Sequence, residues 1–389
     1  MSAESLVAEA RSQVDDVDLG PVHAWKRANP GGLAVGTMPI YVPRPLIEAV
    51  GALPVAIFGG GDQVDIIRGD SYFQSYICHI PRSTLELALG GRLDCLDAMI
   101  FPSICDVIRN LGGMWRLLFP EKLSVYLDLP QTFDLAVGGR FFAHELHRIA
   151  SLLEAAGARP LNDEALVAAI RVENVRRAAL ERVDALRRAE PWRAPASEVY
   201  LLARLGGLLP AAEHTRWLED YLTAAQGRAA RPVDNVRVVL VGAFCEQPPL
   251  GLLRTLEKAG CDIIEDDLQL GLRTIEGPID LREGEDPVFS LARSWIERGG
   301  ATASRYIGDD EKGRALVERV RTLGADGVVF AAASFCDPAL LDQPMQEAAL
   351  ARAKIPYTTL KFAENTGQFQ VVREQAGAFS DAVKLWGIA

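Results

Sequence analysis

The chain has 389 residues, which is enough for roughly two or three domains, and its 49 % apolar and 24 % charged residues are typical of a globular protein. No run of about 18 apolar residues is present, which argues against a membrane-spanning helix. The net charge of −11 argues against broad binding to nucleic acid or to an anionic membrane surface, but it leaves room for a local basic pocket that takes an anionic small ligand.

The first segment, residues 1–30, is predicted to be helical. Acidic residues occupy the stretch in which a signal peptide would carry basic and then apolar residues. We therefore expect a cytoplasmic protein. In that compartment disulfides are improbable, so the six cysteines are expected to be thiols or metal ligands.

Two regions, residues 31–139 and 233–389, contain short apolar runs that alternate with segments of helical period. Unbroken apolar runs are typical of parallel strands that helices cover on both faces. The runs lie at 33–38, 55–59, 98–103 and 123–129 in the first region and at 236–244, 261–267, 327–335 and 356–362 in the second. The predicted fold class is therefore α/β, with two similar parallel-sheet domains.

The region between them, residues 140–232, carries apolar residues at three- and four-residue spacing with arginine and glutamate between them. This pattern predicts helices. We expect this helical region to serve packing and contact between subunits.

The two α/β regions are similar to one another. Residues 36–53 align with 242–261, and residues 102–108 align with 333–339. In the second pair, each apolar strand ends in a Ser-x-Cys-Asp motif, which contains Cys105 in one copy and Cys336 in the other. Internal duplication would place both cysteines at the carboxyl end of a parallel strand, where open α/β sheets bind their ligands.

A shared cleft could bring Cys105 and Cys336 together, with Cys78 as a third thiolate beside them. Thiolates are the usual ligands of iron–sulfur clusters, and three of them would leave one iron open. Spacing alone leaves other interpretations open, because no CxxC pair is present and scattered buried thiols are more common. A mononuclear zinc site is a further alternative, for which His79 is the histidine nearest to a candidate thiol.

The segment 76–113 resembles the 2-hydroxyacyl-CoA dehydratase / benzoyl-CoA reductase family. That family shows a cysteine, an arginine four residues later and then a Pro-x-x-Cys-Asp-x-x-Arg block. The corresponding residues here are Cys78, Arg82, Pro102, Cys105, Asp106 and Arg109. The segment 334–341 resembles the third cysteine block, and residues 36–63, 244–250 and 373–386 are most similar to the gamma (C) subunits of ATP-dependent benzoyl-CoA reductases.

The resemblance implies that Cys78, Cys105 and Cys336 hold one [4Fe–4S] cluster whose fourth iron is open or carries an exogenous ligand. It implies an oxidoreductase subunit that transfers low-potential electrons to the aromatic ring of benzoyl-CoA and yields a cyclic dienoyl-CoA. Cys95, Cys245 and Cys261 match no ligand position.

The resemblance also implies partners: a sister cluster subunit, and ATPase or activator subunits that carry a cluster of their own. The sequence has no GxxxxGK[ST] phosphate loop, and its one glycine-rich cluster after a strand, residues 58–63, is interpreted as a plain turn. We therefore expect no ATP site in this chain.

Several charged residues are candidates for contact with an acyl-CoA. Arg68, Arg82 and Arg109 could bind its phosphates, although Arg82 and Arg109 could equally cap helices or pair with acids such as Asp106. Glu246 is a candidate proton donor at a strand end, as are two aspartates, Asp266 and Asp267. A solvated or capping carboxylate is the more common role at such a position.

Three other functions stay open at this point. The same scaffold could belong to a 2-hydroxyacyl-CoA dehydratase that uses a ketyl radical, or to a double-cubane reductase that binds more iron per chain. The third alternative is a structural partner without a catalytic cluster.

Overall fold

The computed structural model describes residues 1–38, 40–229, 231–242, 248–268, 270–300, 311–363 and 369–386. The strands are β1 (Ala34–Thr37), β2 (Leu53–Ala56), β3 (Ala98–Pro102), β4 (Leu123–Leu127), β5 (Val236–Val241), β6 (Cys261–Asp266), β7 (Gly327–Ala333) and β8 (Tyr357–Phe362). The helices are α1 (Ala3–Val14), α2 (Gly20–Ala28), α3 (Arg44–Ala49), α4 (His79–Leu89), α5 (Asp106–Leu118), α6 (Arg140–Ala155), α7 (Asp163–Ala189), α8 (Ala196–Leu205), α9 (Ala211–Gln226), α10 (Leu250–Lys258), α11 (Pro287–Arg298), α12 (Glu311–Leu323), α13 (Asp337–Ala353) and α14 (Gln370–Trp386).

The strands form two parallel four-stranded sheets with the same topology. The first has the order β2-β1-β3-β4 and the second the order β6-β5-β7-β8. In both sheets the strand order reverses between the first strand and the third, so each sheet has its topological switch point there. The predicted α/β fold with two similar parallel-sheet domains is confirmed.

Two of the central strands, β3 and β7, are buried along their whole length. Every residue of β3 and of β7 is buried, which accounts for their unbroken apolar sequences. Each large apolar side chain removed from water here contributes about 1.5–3 kcal/mol to folding. The position of these strands inside the sheets therefore explains why their sequences are continuously apolar.

The helical region packs as its own layer. Helix α7 has 27 residues and contacts α3 and α9, while α1 from the N-terminus packs on α8 and α9. Several charged residues of α7 are buried, namely Glu173, Arg176, Arg177, Asp184 and Arg187. The arginine and glutamate residues between the apolar positions of this helix are thus partly interior.

Helix α11 crosses from the second half of the chain into the first. It packs against α6 and the short π-helix Leu135–Gly139. Its Trp295 is 3 % exposed, and the centroid of its ring lies 5.3 Å from that of Tyr41 and 5.1 Å from that of Phe142. The two α/β regions are therefore joined by shared side-chain packing as well as by the chain.

Among the described residues, no helix combines the length and the apolar character that crossing a bilayer requires.

Candidate functional site

The three candidate cysteines occupy equivalent local positions. Each is the N-cap residue of a helix: Cys78 precedes α4, Cys105 precedes α5 and Cys336 precedes α13. Cys105 also follows β3, and Cys336 follows β7, with two residues between strand and cysteine in both cases. Cys105 and Cys336 thus lie at the carboxyl ends of the two corresponding strands, beside the switch points of their sheets.

Apolar side chains surround these thiols. Cys78 is 9 % and Cys336 4 % exposed, Cys105 is partly buried, and all three contact the same hydrophobic core. Ile80 and Ile104 beside them are buried, whereas Phe335 is 52 % exposed. The surroundings of the thiols are therefore dry on the core side and open beside Phe335.

Phe335 adopts a backbone conformation that is unusual for a bulky residue. Its φ is 66°, in the left-handed region, at the turn between β7 and Cys336. A non-glycine residue there costs on the order of 1–3 kcal/mol, and such residues occur where surrounding contacts impose the conformation. The strain fixes the direction in which the chain delivers Cys336 to the site.

Opposing effects act on the Cys105 thiol. Burial raises its pKa, while the backbone N–H groups of Ile108 and Val107, in the first turn of α5, act to lower it. The charge of Cys336 also acts to raise the pKa of Cys105. Helix α4, which begins after Cys78, packs against α5.

Three cysteine side chains are a donor set of the kind that iron–sulfur clusters use. Within the described part of the chain, no group of three or more His, Cys, Asp or Glu side chains is gathered tightly enough to hold one ion. A zinc ion would need its donor atoms at about 2.0–2.3 Å from one point. In a [4Fe–4S] cluster each thiolate bonds a different iron, so the sulfur atoms lie further apart.

The arginines proposed to bind substrate have partners within the chain. The Arg82 guanidinium donates to Asp70 at 2.7 Å from Nε and lies 2.6 Å from it at Nη2. Arg68 Nη1 donates to the Leu89 carbonyl at 2.7 Å. Arg109 is exposed, and its guanidinium carbon lies 6.0 Å from the centroid of the Tyr126 ring.

The glycine-rich turn after β2 packs tightly on α4. Gly59 has a φ of 80°, and a Cβ there would lie 2.3 Å from Ser83 Oγ, so a larger residue would clash. The Gly60 N–H donates to the same Ser83 Oγ at 3.2 Å. Further along, one carboxylate oxygen of Glu86 accepts the N–H groups of residues 67–69. These contacts anchor the segment that leads to Cys78.

The candidate proton donors are placed differently. Asp266 forms a buried ion pair with Arg187, and both carboxylate oxygens of Asp267 accept the Gly242 N–H at 2.9 and 3.0 Å. Glu246 and its neighbour Cys245 lie outside the described residues. The structure thus gives both aspartates structural contacts at the end of β6.

Cys95 and Cys261, the two other cysteines that the structure describes, have the features of core thiols. Burial raises the pKa of Cys95, and it raises the pKa of Cys261 to about 12. Cys261 Sγ donates weakly to the Ala376 carbonyl at 3.9 Å. A thiol that keeps its proton over the physiological range is a poor metal ligand.

Sequence reasoning missed a cavity at the carboxyl ends of β1 and β2. It is lined by Arg44, Arg176 and Arg177 together with Glu173 and several aromatic rings. The adjacent arginines at 176 and 177 were visible in the sequence, but their helical pattern gave no sign that both are buried.

Comparison with known proteins identifies the family. A model of the family described as 2-hydroxyglutaryl-CoA dehydratase, D-component, matches residues 39–383. The chain belongs to this family. The family predicted from the cysteine blocks is thereby confirmed.

Relatives within the family differ clearly in their sequence identity to this chain. The chain is 46 % identical over 387 residues to the C subunit of benzoyl-CoA reductase from Thauera aromatica, an alignment that covers 99 % of this chain and 100 % of the relative. It is 25 % identical to the (R)-phenyllactyl-CoA dehydratase beta subunit of Clostridium sporogenes, over 91 % of this chain and 92 % of the relative. It is 26 % identical to the beta subunit of lactoyl-CoA dehydratase from Anaerotignum propionicum, over 96 % and 99 % respectively.

Proposed function

We propose that this chain is the C-type subunit of an ATP-dependent benzoyl-CoA reductase, an oxidoreductase that transfers low-potential electrons to the aromatic ring of benzoyl-CoA. The observation that carries the proposal is the difference in identity: 46 % to a benzoyl-CoA reductase subunit, against 25–26 % to dehydratase subunits of similar coverage. The product would be a cyclic dienoyl-CoA.

We further propose that Cys78, Cys105 and Cys336 hold one [4Fe–4S] cluster. The support is their common position at the starts of three helices, and the position of Cys105 and Cys336 at the carboxyl ends of corresponding strands. When bound, the cluster would supply one-electron transfer at low potential.

The residues around the thiols would shift the reduction potential of the cluster in two opposite directions. The N–H groups of Val107 and Ile108 stabilise negative charge on the Cys105 sulfur, as the start of a helix does for an anion. The buried side chains of Ile80 and Ile104 exclude water and so disfavour added charge. The balance between these two effects would set the reduction potential of the cluster.

The remaining subunits of the proposed enzyme follow from the same assignment. A sister cluster subunit would complete the electron path, and ATPase or activator subunits with their own cluster would drive the electrons uphill. The absence of a phosphate loop from the sequence agrees with ATP hydrolysis elsewhere. The cytoplasm is the compartment in which we place the complex.

A second candidate, a 2-hydroxyacyl-CoA dehydratase subunit, is favoured by the description of the family itself. In the complete complex, reduced and supplied with ATP, we expect consumption of benzoyl-CoA with appearance of a dienoyl-CoA. Lactoyl-CoA and 2-hydroxyglutaryl-CoA are the matched substrates of the other reaction, and we expect neither to lose water. Dehydration of a 2-hydroxyacyl-CoA without ring reduction would overturn the proposal.

A further inference from the structure

The cavity at the ends of β1 and β2 lies apart from the cysteines. It has a volume of about 100 Å³ and is bounded by the residues that follow β1, by α7, by α11 and by the segment 270–279. None of its described lining residues is a cysteine. The cysteines proposed to hold the cluster therefore do not form the wall of this cavity.

The charges around the cavity do not balance. Of the described residues, three arginines (Arg44, Arg176 and Arg177) and one acid (Glu173) line the cavity. A second acid, Glu48, is not part of the lining but forms an ion pair with Arg44. Arg176 and Arg177 are each 4 % exposed. Because water does not screen charges at such depth, the surplus positive charge is costly unless an anion joins it.

The pKa values of Arg177 and Arg44 reflect this surplus of positive charge. Burial lowers the pKa of Arg177 to about 10, and the charge of Arg176 adds to the effect. Burial and Arg176 also lower the pKa of Arg44. For Arg177 and Arg44 the nearby carboxylates do not offset the loss of hydration, whereas Glu173 outweighs the effect of burial on Arg176 and its pKa is raised.

A comparison of the hydrogen bonds made by Arg176 and Arg44 favours Arg44 as the residue that would bind an anion. Arg176 is fully engaged, since Nε and Nη2 donate to Glu173 at 2.7 and 2.6 Å and Nη1 lies 3.3 Å from His214 Nδ1. Arg44 Nη2 donates to the Leu209 carbonyl and to Glu48, whereas Nη1 makes no hydrogen bond to a described residue; Nε makes none either, but it is inaccessible to solvent. An acceptor inside the cavity would pair with Nη1.

The rest of the wall is aromatic. Tyr41, Phe58, Phe142 and Trp295 line the cavity, and each is at most 8 % exposed. Their ring edges and faces suit an offset or edge-on contact with another ring. The volume is of the same order as that of an engineered cavity of about 150 Å³ that binds benzene, and is far too small for a whole CoA ester.

We propose that this cavity binds a small aromatic monocarboxylate, with the carboxylate at Arg44 and the ring among Tyr41, Phe142 and Trp295. The anion balances the buried arginines, and the ring fills the apolar end. This proposal does not depend on the cluster or on the reaction assigned above.

Titration calorimetry on the full-length chain, with benzoate as the probe, tests the site. We expect benzoate to bind with a Kd of about 1 mM or tighter. Benzamide, which has the same shape without the charge, and acetate, which has the charge without the ring, should each bind at least about tenfold more weakly.

Two variants locate the binding. Arg44→Gln should weaken benzoate by about tenfold or more, because a charged hydrogen bond is lost. Ala203→Phe places a ring inside the cavity from α8 and should abolish binding. The matched control is Ala224→Phe, on α9 and outside the cavity, which should bind benzoate as the wild type does.

Circular dichroism establishes which variants fold, and Ala203→Phe decides the matter if Arg44→Gln does not fold. Absence of benzoate binding, equal binding of benzamide or acetate, or an unchanged affinity in Ala203→Phe would each overturn the proposal.

Discussion

Cys105 and Cys261 lie in the two corresponding halves of the molecule, but their surroundings give them different chemistry. Cys105 precedes a helix, and although burial raises its pKa, the first N–H groups of that helix act to lower it. Cys261 begins strand β6, where burial raises its pKa to about 12. The position of a cysteine relative to a helix start therefore separates a candidate ligand from a core thiol.

The surroundings of His214 oppose protonation of its imidazole. Its Nε2–H donates to the Leu202 carbonyl at 2.9 Å, and its Nδ1 accepts from Arg176. Burial first, and then the charges of Arg176 and Arg44, lower its pKa well below 6.5. The imidazole is thus neutral in the folded protein.

A pH dependence of stability follows from this depressed pKa. Below pH 6.5 the unfolded chain binds a proton at His214 that the folded chain does not bind, so stability falls as the pH falls. The slope from one such group is at most about 1.4 kcal/mol per pH unit. In urea titrations between about pH 7 and pH 5, we expect His214→Gln to show a shallower slope than the wild type.

The exposed His23 supplies the control, and His23→Gln should keep the slope of the wild type. An identical slope in all three proteins would show that His214 is protonated equally in the folded and unfolded states.

Among the individual elements, the strands were the easiest to predict from the sequence. Continuous apolar runs such as those of β3 and β7 have few alternatives to burial in a parallel sheet. The repeated Ser-x-Cys-Asp motif also located the two strand ends correctly, because duplication preserves position in the fold.

The partner of α11 could not be predicted in the same way. Its apolar face indicates that it is buried but does not indicate against what, since local periodicity carries no information on contacts distant in sequence. The structure shows that Trp295 packs on Tyr41 and Phe142, more than a hundred residues away. The interior charges of α7 were not predicted for the related reason that a buried ion pair and a solvated one look alike in sequence.

Replacing Trp295 tests whether α11 holds the two halves of the chain together. Its side chain is buried among aromatic rings, so we expect Trp295→Ala to destabilise the protein by about 3–5 kcal/mol. The unfolding midpoint in urea measures the effect. Leu341→Ala, at a side chain 73 % exposed, is the matched control and should change stability by about 0.5 kcal/mol or less. Equal midpoints for the two variants would contradict the packing described for α11.

The whole molecule brings two copies of one sheet topology together with a helical layer, and it places a cysteine at the same point of each copy. The family was predicted from the cysteine blocks, and the match to residues 39–383 confirmed it. The ligand set and the reaction are proposals built on that membership, on the helix starts and on the 46 % identity to a benzoyl-CoA reductase subunit.

Iron analysis of the chain purified without oxygen tests whether the three cysteines hold a cluster, with Cys105→Ala and Cys95→Ala as a matched pair. We expect about four irons per chain in the wild type and in Cys95→Ala, and a clear loss in Cys105→Ala, since only that variant removes a proposed cluster ligand. Full iron occupancy in Cys105→Ala, a wild-type chain without iron, or about eight irons per chain would contradict this expectation.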